Sequence, residues 1–402
     1  MEATLPVTLR QPLRTDCPVH DINGDPALVV IERAIHELRC GRAICCRQIA
    51  ALDAPGGGVL VASAETASVA QLARLATVAG ERGLALAITK RRAETLGLWP
   101  TDTFLGNEHA ALLLRFHQPV TAMLLHWLAG MSASKPAPVG ADRHFTVEAC
   151  DALTAATLEL AKQARLLPAL LAIPAPQLTP EVLTISSAQL EPLARLDASE
   201  LERVSEARVP LAGHEDCRMV LFRDGHDASE HVAVLIGSPK KNATVSVRLH
   251  SACLTGDLFG SLRCDCGDQL RGAIDQLTAV GGGVLLYLAQ EGRGIGLANK
   301  LRAYELQDTG LDTIEADRHL GFSADERSYA PAASMLRQLG FTRIQLLTNN
   351  LEKIESLRKA GIDVVGGQRL LGPVNRHNAR YVHAKRERAG HLMPEINMDE
   401  IL

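Results

Sequence analysis

Three of the nine cysteines lie close together in the sequence, at Cys253, Cys264 and Cys266. Ten residues separate the first two, and one residue separates the last two. Zinc binds thiolates tetrahedrally, and a centre with three protein ligands leaves its fourth position to a water molecule whose pKa falls to about 7. The pattern therefore predicts a zinc centre that makes hydroxide available at neutral pH.

Two other interpretations of these cysteines are open. Free cysteines are often small buried hydrophobic residues, although Arg263, Asp265 and Asp268 make this segment polar. A structural zinc with four ligands, the fourth being a histidine such as His250, is the second interpretation. The other cysteines share no metal-like spacing and are interpreted as buried thiols: Cys17, Cys40, Cys45, Cys46, Cys150 and Cys217.

A glycine-rich loop comes next along the chain. Residues 285–288 are apolar, residues 290–296 are Gln-Glu-Gly-Arg-Gly-Ile-Gly, and residues 297–306 have a helical pattern. Glycines let the backbone approach an anion, and a helix N-terminus supplies unpaired N–H groups. The spacing matches neither a P-loop nor the dinucleotide-binding fingerprint. Taken alone, the loop is equally consistent with a tight turn.

These segments and several downstream of them resemble GTP cyclohydrolase II, the first committed enzyme of riboflavin synthesis. The resemblance covers residues 203–393 and is specific, because several long motifs occur in the family's order. The motifs are Arg248-Leu-His-Ser-Ala-Cys-Leu-Thr-Gly-Asp257, Leu262-Arg-Cys-Asp-Cys-Gly-Asp-Gln269, Gln290-Glu-Gly-Arg-Gly-Ile-Gly-Leu297, Arg302-Ala-Tyr304, Gly321-Phe-Ser-Ala-Asp-Glu-Arg327 and Leu347-Thr-Asn-Asn350.

The resemblance implies a reaction and its cofactors. GTP would be hydrolysed to 2,5-diamino-6-hydroxy-4-(5-phosphoribosylamino)pyrimidine, formate and pyrophosphate, with Zn²⁺ held by the three cysteines and Mg²⁺ on the phosphates. Zinc hydroxide would attack C8 of guanine, and a second hydration would release formate. The positions that match the family's GTP contacts are Arg248, Leu249, His250, Ser251, Ala252, Gln269, Glu291, Gly292, Arg293, Thr313, Thr348 and Lys353.

The resemblance also implies three catalytic residues. Asp325 matches the family's proton acceptor, although an Asp after such a turn is more often a helix N-cap. Tyr304 matches a polar group near the reacting base. Arg327 matches a proposed nucleophile on the α-phosphorus, but a guanidinium with a pKa above about 12 is a poor nucleophile, and a charge clamp fits the same position. Ala252 departs from the family, which commonly has Glu there, and this puts only a carboxylate contact in doubt.

The first half of the chain is weakly similar to dihydroxybutanone phosphate synthase, over residues 28–173. That family places an acidic magnesium motif after its first strand. Here residues 45–62 contain only Arg47 and Asp53 as charged residues, and magnesium requires several oxygen ligands. We therefore expect a degenerate synthase domain that is retained for dimerisation or regulation.

The whole chain has 402 residues, which predicts more than one domain. We expect a mixed α/β and α+β protein with a lead-in over 1–26, a synthase-like domain over 27–175, a linker over 176–202 and a cyclohydrolase domain over 203–402. Within the first domain the pattern predicts a helix over residues 146–166.

The composition restricts the partners. A net charge of −4 and an aromatic content of 3% argue against nucleic-acid and membrane binding, and no export signal is evident, so a cytoplasmic location is expected. GTP is the expected partner, together with a second copy of the chain in a homodimer. The alternatives are an idle GTP-binding scaffold and, less favoured, a bifunctional synthase and cyclohydrolase.

Overall fold

The computed structural model describes residues 25–48, 57–99, 110–132, 140, 143–175, 181–191, 193, 201–370 and 372–379. Most of the expected lead-in, Cys17 and Asp53 lie outside the described residues. Within them, no helix combines the length and apolar character that a membrane crossing requires.

The first domain is built on a seven-stranded sheet in the order β5-β4-β3-β6-β2-β1-β7. All neighbouring strands are antiparallel except β1 and β7. The strands are β1 (Ile44–Arg47), β2 (Gly58–Ser63), β3 (Ala85–Thr89), β4 (Ala111–Phe116), β5 (Phe145–Ala149), β6 (Ala169–Pro174) and β7 (Thr184–Ser186). The helices are α1 (Pro26–Arg39), α2 (Val69–Ala79), α3 (Lys90–Thr95), α4 (Ala122–Ala129), α5 (Ala152–Gln163) and α6 (Ser187–Leu190).

Helices cover both faces of this sheet. Alternate strand residues point to opposite faces, so Ile44 and Cys46 pack with α1 and α5, whereas Cys45 packs with α2 and α4. Both faces of the inner strands are therefore buried, so every residue of β1 and β3 is buried and their sequences do not alternate between apolar and polar residues.

Two parts of this domain differ from the sequence prediction. The helix expected over residues 146–166 is wrong in its first part, where residues 145–149 form β5 and pair with β4. The helix starts later because the Asp151 carboxylate accepts a hydrogen bond from Thr154 N at 2.9 Å and caps α5. Inside the expected linker, β7 pairs with β1 and so lies in the N-terminal sheet.

The second domain contains another seven-stranded sheet, in the order β14-β13-β11-β12-β10-β9-β8. The strands are β8 (Leu201–Arg208), β9 (Cys217–Asp224), β10 (Glu230–Gly237), β11 (Val245–Ser251), β12 (Gly282–Leu288), β13 (Arg343–Leu347) and β14 (Asp363–Gln368). The helices are α7 (Leu254–Asp257), α8 (Cys266–Ala279), α9 (Leu297–Asp308), α10 (Thr313–His319), α11 (Ala330–Leu339) and α12 (Leu351–Lys359). Two α/β units confirm the expected fold class.

The direction of the strands decides where a site can form. Strands β11, β12, β13 and β14 are parallel to one another. Strands β10, β9 and β8 continue the sheet beyond β12 with antiparallel pairing. In open α/β sheets, ligands bind in the crevice outside the carboxyl ends of parallel strands. The loops after β11, β12 and β13 meet at this edge, and among the predicted site residues they carry Ala252, Cys253, Glu291, Gly292, Arg293 and Thr348.

Candidate active site

A pocket opens at the carboxyl ends of β11, β12 and β13. Of the predicted site residues, Leu249 and Asp325 are the two that do not line it. The predicted residues that line it are Arg248, His250, Ser251, Ala252, Cys253, Cys264, Cys266, Gln269, Glu291, Gly292, Arg293, Tyr304, Thr313, Arg327, Thr348 and Lys353. Residues far apart in the sequence are thus gathered at one edge of the sheet.

The three cysteines form one cluster. Their sulfur atoms all lie within 4.8 Å of one another, and the Cys253 and Cys264 sulfurs are 3.7 Å apart. Tetrahedral zinc with bonds of about 2.3 Å separates its sulfur ligands by about 3.8 Å. A Cβ on Gly256 would lie 2.8 Å from the Cys264 sulfur, so glycine leaves the thiols the space to converge. The donor set fits zinc.

Asp257 holds the first cysteine in place. Its carboxylate accepts hydrogen bonds from Cys253 N at 2.9 Å and Tyr287 Oη at 3.0 Å, and it contacts His250 Nε2 at 3.0 Å. Burial lowers the pKa of His250. Among the described residues the metal-type cluster contains only the three cysteines, so the four-ligand interpretation that used His250 is not supported.

Lys300 adds a positive charge beside the cysteines. Its Nζ lies 3.0 Å from the Cys253 sulfur and 2.7 Å from Glu291 Oε1. Hydrogen bonds from the other two thiols and from Lys300 lower the pKa of Cys253, although burial opposes the shift. The hydrogen bond to Cys253 raises the pKa of Cys264 to about 11. A negative charge is therefore favoured on Cys253.

The glycine loop after β12 is a tight turn. Gly292 and Arg293 both have a φ of 63°, a left-handed conformation that costs a non-glycine residue free energy. The Glu291 carboxylate accepts from Leu254 N at 2.7 Å, which ties the loop to the segment after Cys253. Both oxygens of Glu291 are thus used within the protein, and Arg293 is the cation that the turn presents to the pocket.

Arg293 faces a buried carboxyl group. Its Nη1 lies 3.6 Å from Asp317 Oδ2 on α10, and Asp317 is 3% exposed. Burial raises the pKa of Asp317 to about 7, although Arg293 pulls it down. At the start of the same helix, Thr313 follows Asp312, whose side chain caps the helix.

Two further cations lie on the other side of the pocket. Arg248 donates to Leu347 O at 3.0 Å and to Gln269 Oε1 at 2.6 Å, and burial lowers its pKa to about 10. Lys353 Nζ donates to Leu249 O at 3.1 Å. The Leu249 side chain is buried in the core, so it is the Leu249 carbonyl, and not the side chain, that contacts Lys353.

The backbone contact of Ala252 does not depend on its side chain. Ala252 N donates to Leu288 O at 2.8 Å, a bond that any residue can make. Next to it, Gln290 Nε2 donates to Ser251 Oγ at 2.9 Å. The loops after β11 and β12 are therefore joined through groups that the substitution leaves intact.

Asp325 and Arg327 form an ion pair. Arg327 donates from Nε to Asp325 Oδ1 at 2.8 Å and from its backbone N at 3.0 Å, and Nη2 contacts Oδ2. Burial would raise the pKa of Asp325, but the Arg327 hydrogen bonds outweigh it and the pKa is lowered. The helix N-cap interpretation of Asp325 is wrong, because α11 begins only at Ala330.

Sequence reasoning missed several residues that line the pocket: Ile295, Lys300, Ala303, Gln307, Ile314, Asp317, Asn349 and Asn350. A signal for Lys300 was present. It lies four residues before Tyr304 on α9, so the two side chains share a helix face, and the Lys300 ammonium is 5.7 Å from the Tyr304 ring centre. Asp317 carried no such signal, because its burial depends on tertiary packing.

Burial raises the pKa of Tyr304.

Comparisons with known proteins identify the family. A family model described as GTP cyclohydrolase II matches residues 202–369. A GTP cyclohydrolase-2 from Azospirillum brasilense is 40% identical over 378 residues, which are 92% of this chain and 95% of the relative. One from Xylella fastidiosa strain Temecula1 is 39% identical over 94% of this chain and 90% of its own length. One from Shigella boydii is 47% identical over 48% of this chain and 98% of its own.

Three of the solved structures that match are described as 3,4-dihydroxy-2-butanone 4-phosphate synthases, the family that the first half of the sequence resembles. A two-domain synthase from A. baumannii covers 85% of this chain and 99% of its own, with 16% identity and a TM-score of 0.26. The relatives from Azospirillum brasilense and Xylella fastidiosa match over 90% or more of both chains, and with the family model they confirm the resemblance of the second half to GTP cyclohydrolase II. The chain belongs to the GTP cyclohydrolase II family of enzymes.

Proposed function

We propose that the chain hydrolyses GTP to 2,5-diamino-6-hydroxy-4-(5-phosphoribosylamino)pyrimidine, formate and pyrophosphate, in a zinc-dependent first step of riboflavin synthesis. The observation that carries the proposal is one pocket that combines three convergent sulfurs with several cations. A thiolate metal centre suits hydrolysis of the purine ring, and the cations suit a triphosphate. The cations are Arg248, Arg293, Arg327 and Lys353.

Cys253, Cys264 and Cys266 would hold the zinc. The metal, when bound, supplies a Lewis acid and lowers the pKa of coordinated water to about 7. The surrounding residues orient the ring that must gain water at C8. Tyr304, whose pKa is raised, keeps its proton at neutral pH and can donate a hydrogen bond to the reacting base. Lys300 offsets negative charge on the thiolates.

Arg327 serves as a charge clamp on the α-phosphate. A guanidinium paired with a carboxylate is held in its charged form, which has no free nitrogen lone pair for attack on phosphorus. The clamp supports release of pyrophosphate by neutralising the charge that develops on the phosphates. Movement of Arg327 toward the phosphate would release an Asp325 oxygen, which could then accept the proton that water loses on addition to the substrate. Mg²⁺ that arrives with the substrate would offset part of the negative charge of the phosphates.

The experiment is turnover of GTP by the purified chain, with and without a zinc chelator, while formate, pyrophosphate and the diaminopyrimidine are measured. All three products should appear together, and the chelator should abolish formate. Pyrophosphate without formate would contradict the ring-opening part of the proposal. Binding of GTP without either product would favour the scaffold alternative.

The first domain is proposed to be a degenerate synthase that makes no butanone phosphate. The Asp53 region lies outside the described residues, so the proposal depends on the composition of residues 45–62. Incubation of the purified chain with ribulose 5-phosphate and Mg²⁺ should give no 3,4-dihydroxy-2-butanone 4-phosphate. Formation of that product would establish a bifunctional enzyme. The homodimer stays a prediction, which sedimentation equilibrium can check.

A further inference from the structure

The first domain packs directly behind the loops that carry the proposed GTP residues. Leu167, between α5 and β6, is completely buried in an apolar cluster whose other buried members come from the second domain, and Met131 of the first domain packs against the same cluster. The buried members of that cluster from the second domain are Ile295, Ala303, Leu306, Ala316, Leu320 and Phe322. Leu167 therefore fills the space beneath α9 and α10, the helices that carry Tyr304 and Asp317.

Arg165 fixes the start of α9. Its carbonyl accepts from Asn299 Nδ2 at 3.0 Å, and its guanidinium contacts Asp227 at 3.1 Å. A Cβ on Gly296 would lie 3.2 Å from the Arg165 Cβ, and Gly296 has a φ of 86°. The close approach and the backbone conformation both favour glycine here, at the end of the GTP loop.

Lys162 reaches the catalytic segment itself. Its Nζ lies 3.4 Å from Glu326 Oε1, and the two side chains are 12% and 20% exposed. Lys162 also contacts Glu159 on its own helix, at 3.1 Å. Glu326 lies between Asp325 and Arg327, and its backbone N donates to Arg293 O at 3.2 Å. One ion pair between the domains thus affects the position of two of the four proposed phosphate-binding cations, Arg293 and Arg327.

Arg92 anchors the far end of α10. It is 1% exposed and donates to Leu128 O at 2.9 Å, to Trp127 O and to His319 O at 2.7 Å. These carbonyls lie at the C-termini of α4 and α10, where the helix dipoles favour a cation. Thr89 Oγ1 adds a hydrogen bond to Gly321 O at 2.8 Å.

We propose that the first domain is a positioning element of the GTP site, and that the Lys162–Glu326 ion pair holds residues 325–327 and the Arg293 loop at the separation that GTP requires. This inference rests on the GTP site proposed above. Lys162 touches no residue that we place on the substrate, so it is a positioning residue and acts through Glu326.

The test uses the full-length chain and compares Lys162→Met with Lys162→Arg. A control is Arg115→Met, which breaks the Arg115–Glu148 pair between β4 and β5, at the opposite edge of the N-terminal sheet from β7. The measurements are kcat and KM for GTP, the Kd of a non-hydrolysable GTP analogue, zinc content and Tm. Lys162→Met should raise KM and Kd about fivefold with unchanged zinc content, because a well-placed, partly buried pair contributes about that factor. Lys162→Arg should restore both values.

A double-mutant cycle with Glu326→Gln separates positioning from general loss of stability. If the two side chains act through their pair, the double variant should be no worse than either single variant. Equal KM and Kd in Lys162→Met and the wild type, or strictly additive effects in the cycle, would overturn the inference. Absence of turnover in the wild type would instead contradict the proposed function, and the analogue Kd would still test the positioning role.

Discussion

The two halves of the molecule carry sheets of equal size but bury different kinds of side chain. Each sheet has seven strands. Among the described residues of the first domain, the buried charged side chains are Arg47 and Arg92, and Arg92 is directed at the second domain. The second domain buries ionisable groups of both signs, among them Arg248, His250, Asp265, Lys300, Asp317 and Lys353.

This contrast follows from strand direction and from what burial costs. Only β1 and β7 are parallel in the first sheet, whereas β11, β12 and β13 end at one edge of the second. A buried charge is destabilising unless it is paired, so a fold keeps several of them together only where chemistry requires it. The second half contains such a site, and we propose that the first half positions it.

The largest effect on activity is expected when a cysteine of the zinc site is replaced, and a buried cysteine of the first half serves as the control. Cys264→Ser should remove a metal ligand, so bound zinc should fall sharply and formate production should drop by roughly 10³-fold. Cys46→Ser, at a buried position in β1, should lower stability but leave zinc content unchanged. Zinc analysis and turnover of both purified variants check this. Full zinc occupancy in Cys264→Ser would mean that the three sulfurs do not share one ion.

An arginine from each half gives the next comparison. Arg327 and Arg115 each form a forked pair with a carboxylate, Asp325 in the pocket and Glu148 between β4 and β5. Lysine keeps the charge but loses the fork, so Arg327→Lys should lower kcat/KM by roughly 10²-fold or more. Arg115→Lys should leave kcat/KM unchanged. Wild-type rates in Arg327→Lys would argue against both the clamp and the nucleophile.

The sequence predicted the contents of the site better than its arrangement. Local patterns predicted β11, β12 and the helix after the glycine loop, because each is an apolar or periodic run that ends in polar or glycine residues. No local pattern reveals that β11 lies between β12 and β13, because that order depends on long-range pairing. The same holds for Asp325, whose pairing with Arg327 depends on how the segment before α11 folds.

The domain boundary shows the same limit. Proline residues and the Ser186-Ser187 pair suggested a linker over 176–202, yet Thr184–Ser186 forms an edge of the N-terminal sheet as β7. Three residues are too short for a periodic signal, and their strand character comes from pairing with β1. Contacts between the domains, such as the burial of Leu167, are likewise absent from any local pattern.

The last expected effect is on stability, and it arises at Asp317. The pKa of Asp317 is about 7 in the folded chain, above the ordinary 3.8, because the group is buried. As the pH rises from 4 to 7, the unfolded chain loses this proton before the folded chain does, so stability falls, by about 1.4 kcal/mol per pH unit at most. Asp317→Asn removes this dependence.

Urea unfolding of the wild type and of Asp317→Asn at pH 5 and pH 8 measures the difference. The free energy of unfolding of Asp317→Asn relative to the wild type should be greater at pH 8, by up to about 3 kcal/mol. An equal difference at both pH values would show that Arg293 keeps Asp317 ionised throughout. Asp317 would then be a paired charge like the other buried ionisable groups of the second half. The two halves would differ only in how many buried charges they pair.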